Sequence, residues 1–122
     1  MNTKMYSHMI QFLWASEFQV IGGEVYIFLA SSSEGFGPIR AYVMKLRSGV
    51  DLCNKADWER PEPVVGRDGK VLSEVGLTLD MTVVQASGTT YAIWAQRDLI
   101  SVDLGSWIYI AEIDEQELWR VQ

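Results

Sequence analysis

The hydrophobic positions of this chain fall in short runs separated by turn residues, which is the pattern of strands. Val20-Ile21 passes through Gly22-Gly23 into Val25-Tyr26-Ile27-Phe28-Leu29 and reads as strand, two-residue turn, strand. Ile39 to Leu46 is rich in β-branched and aromatic residues, with Pro38 as its punctuation. Gly49 to Lys55 is polar and turn-like, and Trp58 opens a segment whose prolines, Pro61 and Pro63, suit an edge strand or an extended loop. Beyond the turn Arg67-Asp68-Gly69-Lys70 the scheme repeats. Val83-Val84-Gln85 leads through Ala86-Ser87-Gly88 into Thr90-Tyr91-Ala92-Ile93-Trp94, Ser106 to Ile113 forms the next strand, and Trp119-Arg120-Val121 closes the chain.

The two halves match in order. Gly23-Glu24-Val25-Tyr26 corresponds to Gly88-Thr89-Thr90-Tyr91, Ala41-Tyr42-Val43 to Ile108-Tyr109-Ile110, and Trp58 to Trp119. Glu17-Phe18 stands before the first hairpin as Asp80-Met81 stands before the second. Four short strands per unit is the pattern of a propeller blade. One such sheet cannot bury both faces alone, so it stacks on a copy of itself. The expectation is therefore an all-β chain made of two four-stranded antiparallel blades of a partial β-propeller. The blades span about 13–65 and 77–122 in a single domain of ordinary size. Two unrelated antiparallel sheets, or one sandwich, are the alternatives.

Composition narrows the function. Five Trp, five Tyr and four Phe in 122 residues build a β-rich core or line a surface for flat apolar faces such as sugar rings. The net charge of −6, with no basic cluster, argues against nucleic acid and against an anionic membrane surface as partners. A single cysteine, Cys53, excludes an internal disulfide and is expected to be buried or half-buried. No CxxC or His/Cys pairing suggests zinc, and no cofactor is expected. His8, the only histidine, reads as a surface residue and leaves no histidine for a triad. The first sixteen residues lack the apolar core and cleavage site of a signal peptide. Phe18 to Ala30 is too short, and too interrupted by Glu24 and two glycines, to span a bilayer. The expected location is the cytoplasm.

Acidic residues ahead of the first strands are the candidates for chemistry. The innermost strand of each blade lines the central channel, so Glu17 and Asp80, taken as equivalents, would converge there. Two carboxylates in an enclosed polar pocket are what glycoside hydrolysis uses, one as general acid and one as base or nucleophile. The alternative is that each caps a turn or accepts from backbone amides.

The segment Leu13-Trp14-Ala15-Ser16-Glu17-Phe18-Gln19-Val20-Ile21-Gly22-Gly23 resembles the WAPE-x-H-x-I-D-G stretch of glycoside hydrolase family 43. Val43-Met44-Lys45-Leu46, Asn54-Lys55-Ala56-Asp57-Trp58-Glu59, Thr78-Leu79-Asp80-Met81-Thr82 and Tyr109-Ile110-Ala111-Glu112-Ile113 extend the resemblance over about residues 13 to 121. It implies a five-bladed propeller that hydrolyses arabinose- or xylose-containing glycans with inversion. The family's mechanism uses a base aspartate, a general-acid glutamate, and a second aspartate that orients the acid and adjusts its pKa. Asp80 matches that second aspartate, whose charge raises the pKa of a neighbouring acid. No residue matches the base or the general acid by motif. Glu34-Gly35-Phe36-Gly37-Pro38 mimics the acid-bearing Glu-Gly-Pro in the wrong blade and reads as a turn.

Ser16 and Gln19 depart from the family's proline and histidine. Glu17, Gln19 and Trp14 remain placed to bind a pentose-containing oligosaccharide. Trp94 and Trp107 are further candidates for stacking on sugar rings, with packing between blades as the alternative. Two blades alone leave both outer faces bare and apolar, which predicts a homo-oligomer.

Overall fold

The computed structural model describes residues 11–32, 39–47, 51–74, 76–98 and 105–122, with residues 11–15 and 119 described by their backbone. They form two four-stranded antiparallel sheets, each a simple meander. The first runs β1 (Gln11–Ile21), β2 (Glu24–Ser32), β3 (Arg40–Lys45) and β4 (Glu62–Pro63), and the second β5 (Gly76–Ala86), β6 (Thr89–Asp98), β7 (Trp107–Asp114) and β8 (Glu117–Val121). This is the architecture of two propeller blades, as the strand pattern predicts.

Both sheets open with the same hairpin. Gly22 and Gly23 lie at φ 59° and 79°, and Ser87 and Gly88 at φ 51° and 79°. Two consecutive positive φ angles define the tight turn whose twist matches that of the flanking strands. The turn fixes the registers Ile21↔Glu24 in the first sheet and Ala86↔Thr89 in the second. The third strands repeat as well: Phe28 pairs with Val43, and Ile93 pairs with Ile110.

The outer strands differ. β4 has only two residues, and the chain from Asp51 to Trp58 makes an excursion outside the sheet that ends in a 3-10 turn at Lys55–Asp57. Asn54 Oδ1 caps that turn by accepting from the Ala56 amide at 3.1 Å. β8 instead follows β7 through a tight turn, with Asp114 paired to Glu117. Trp58 bridges Leu46, whose counterpart by the β3–β7 match is Ile113, and Ile113 pairs with Val121. Trp58 and Trp119 are therefore not register equivalents, contrary to the sequence match. Cys53, expected buried or half-buried, is exposed on the same excursion, where its amide donates to Asp51 Oδ1 at 2.9 Å.

The core lies between the sheets. Period-two alternation puts Tyr26, Phe28, Ala41 and Val43 on one face of the first sheet, and they pack against Ala92, Trp94, Ile113 and Val121 of the second. Phe28 is wholly buried at the centre. Parallel bridges tie the sheets at both ends, Ile39↔Leu77 at one and Val65↔Arg120 at the other.

The two outer faces are unlike each other. On the first sheet Ile27, Leu29, Tyr42 and Met44 are buried with Trp58 packed against them, and Phe18 and Val20 are exposed. The second exposes Val84, Ile108 and Ile110. The expectation of two bare outer faces thus holds for most of the second sheet and only for one end of the first.

Candidate functional site

The innermost strands β1 and β5 share one extra residue at matching places, and β1 carries another between Gln11 and Trp14. On β1, Trp14 pairs with Ala30 and Glu17 with Phe28, so three steps on one strand oppose two on the other. On β5 the same count separates Leu79↔Ala95 from Thr82↔Ile93. Aligning these bulges makes Thr82, not Asp80, the counterpart of Glu17. The sequence carries a signal for this: Gly23 and Gly88, like Tyr26 and Tyr91, are 65 residues apart, as are Glu17 and Thr82, whereas Glu17 and Asp80 are 63 apart.

Asp80 occupies the bulge itself, at φ 54°, with an exposed side chain. Aspartate tolerates this left-handed region better than most residues, yet it remains a strained choice within a strand. The bulge re-aims the carboxylate out of the strand's alternation. Strain of this kind gathers where a side chain must point in a particular direction.

Glu17 is half-buried and already engaged. Its Oε1 accepts from Gln19 Nε2 at 2.5 Å and from Thr82 Oγ1 at 2.9 Å, and Gln19 Nε2 also lies 3.3 Å from Thr82 Oγ1. Glu17 thereby clasps the two innermost strands together, two residues from Asp80. Among the described residues its other oxygen, Oε2, has no hydrogen bond. The structure brings Glu17, Gln19 and Asp80 to neighbouring positions on the innermost strands. Trp14 lies on β1 at the Ala30 register, with its side chain outside the described residues. His8 and Glu34-Gly35-Phe36-Gly37-Pro38 also lie outside them.

A double-mutant cycle tests the clasp. Glu17→Ala and Thr82→Val are expected to couple by about 1 kcal/mol in urea unfolding, as for a part-buried hydrogen bond to a charged group. Additive losses would show that the bond contributes nothing.

The tryptophans separate into two kinds. Trp94 is buried in the core and stacks on Tyr109, with ring centroids 5.7 Å apart and planes at 12°. Its role is packing between the sheets. Trp107 is 61% exposed, so packing does not account for it. Among the described residues no three His, Cys, Asp or Glu side chains gather as metal ligands do.

Comparison with known proteins finds two arabinofuranosidases to which this chain is similar. An α-L-arabinofuranosidase 43 of Humicola insolens is 30% identical over 110 residues, which cover 90% of this chain and 21% of that protein. The crystal structure of an α-L-arabinofuranosidase from Lactobacillus brevis superposes with a TM-score of 0.72 at 27% identity, over 92% of this chain and 34% of that one. The chain is similar to a part of each of these two arabinofuranosidases. It spans about a fifth of the curated family 43 relative and about a third of the solved structure. No family profile matches it.

Proposed function

We propose that this chain forms two blades of a family 43 glycosidase that acts on arabinose- or xylose-containing glycans, with Asp80 as the aspartate that orients the general acid. The observation that carries this reading is the exposed Asp80 held at φ 54° in the bulge of the innermost strand. Carboxylates on innermost strands face the channel of a propeller, where a negative charge raises the pKa of a nearby acid and keeps it protonated until transfer. Glu17 and Gln19, fixed by their bonds to Thr82, line the same strands as binding residues for a sugar hydroxyl.

The 122-residue chain on its own is catalytically inert, because no residue in it matches the family's base or general acid. General acid and base assistance each contribute about 10²–10⁴-fold in rate. The purified chain is expected to hydrolyse aryl arabinofuranosides and aryl xylosides no faster than its Asp80→Asn variant. Turnover that depends on Asp80 would overturn this assignment of the missing groups.

A non-catalytic, sugar-binding or self-assembling module is the second reading. It is favoured by the commitment of Glu17 Oε1 to its neighbours and by the exposed apolar face of Val84, Ile108 and Ile110. In this reading the chain associates with a second copy through that face.

A further inference from the structure

The exposed large apolar residues of β7 fall on two different faces. Ile108 and Ile110 point away from the first sheet, but Trp107 and Tyr109 alternate with Ala111 and Ile113, which pack against it. Trp107 is 61% exposed and Tyr109 is 41% exposed on a face whose other end is already filled by the neighbouring sheet. These two rings are therefore not part of the bare outer face.

The polar groups beside them are held in place from within. Gln96 is the cross-strand partner of Trp107, and Trp94 that of Tyr109. Buried Trp94 donates from Nε1 to Gln96 Oε1 at 3.1 Å, Gln96 Nε2 donates to Asp98 Oδ1 at 3.4 Å, and Ser73 Oγ donates to the same oxygen at 2.7 Å. The amide and carboxylate thus have fixed orientations, while Asp98 itself is exposed. An exposed, flat aromatic surface beside pre-oriented polar groups suits a sugar ring. The ring presents an apolar face to stacking and hydroxyls at its rim to hydrogen bonding.

The position is also informative. Thr78, Gln96 and Trp107 share one row across β5, β6 and β7, and Asp80 lies two residues further along β5. Two strand spacings put Trp107 about 10 Å from β5, which an oligosaccharide of a few rings spans.

We propose that Trp107 and Tyr109, with Gln96 and Asp98, form an accessory stacking subsite that holds a pentose-containing oligosaccharide chain at the Asp80 end of the second sheet. The inference rests on the carbohydrate reading above, but not on catalysis. Calorimetry and saturation-transfer NMR with xylotetraose and arabinotetraose test it on the intact chain. Trp107→Ala is expected to weaken binding about tenfold or more, as loss of one stacked ring face does, and Trp107→Tyr to retain most of it. Circular dichroism melting checks that both variants fold, which the exposure of Trp107 favours. Unchanged affinity in Trp107→Ala, or no saturation transfer to either sugar in the wild type, overturns the subsite. If both sugars bind and only Asp80→Asn or Glu17→Ala weakens them, the subsite falls while the glycosidase reading stands.

Discussion

Replacing Phe28 by alanine is expected to lower the unfolding free energy by about 3–5 kcal/mol, the cost of deleting a buried aromatic ring that its surroundings cannot collapse to fill. Phe28 has no exposed surface and sits in the larger of the two described clusters that draw residues from both sheets. Its partners come from β3 on one side and from β6 and the last strand on the other, so the cavity opens at the seam between the sheets. Domains of this size hold together by about 5–15 kcal/mol, and the variant therefore loses roughly a fifth or more of its stability. Urea unfolding reads this as a lower midpoint with an unchanged slope. A control at an exposed apolar position, Ile110→Ala, is expected to change stability by about 0.5 kcal/mol or less. A loss below about 1 kcal/mol in Phe28→Ala would mean that the two sheets do not share a core.

The second large effect is on assembly. Val84, Ile108 and Ile110 form an exposed apolar face on the second sheet, with Ile93 between them by register. Covering several hundred Å² of such surface in each contact gains on the order of ten kcal/mol before the costs of association are subtracted. The 122-residue chain is accordingly expected to elute and scatter light as a multiple of 13.8 kDa. Introducing Ile108→Glu together with Ile110→Lys puts charges on the contact without touching the buried core. It is expected to shift the protein to the monomer while retaining its sheet circular dichroism. A wild-type chain that is monodisperse at the monomer mass and melts cooperatively would overturn self-association.

Much of the fold could be read along the chain because its determinants are local. Alternation with period two places one set of side chains on each face, and the glycines at 22, 23 and 88 permit the positive φ angles that close both inner hairpins. The matching segments around Tyr26 and Tyr91 announce two copies of one unit. Alternation also predicts that Phe28 and Trp94 share their faces with other apolar residues, and both lie in the core.

The candidate site was less legible. Motifs single out Asp80, Glu17 and Gln19, but the order of acids along the chain points to the wrong relation between Glu17 and Asp80. Glu17 and Asp80 look equivalent when acids are compared by eye. The bulges on β1 and β5 each insert a residue, and only the paired registers reveal that Thr82 stands where Glu17 does. The consequence is chemical: the two carboxylates do not face each other as a symmetric pair, and the hydroxyl of Thr82 meets Glu17 instead.

Sequence by itself determined the strand composition, the two tight turns, the repeat and the family to which the chain is similar, because backbone propensity, side-chain alternation and motif identity are properties of neighbouring residues. Tertiary structure decided which tryptophan is core and which is surface: Trp94 and Trp107 sit on the same sheet face, yet only the former lies where the other sheet covers it. It also decided that Cys53 is exposed, that one outer face is largely filled while the other is open, and that Glu17 clasps β5. Each of these depends on chain segments tens of residues away. Burial and hydrogen bonding are settled by what lies across the gap rather than by what comes next in the chain.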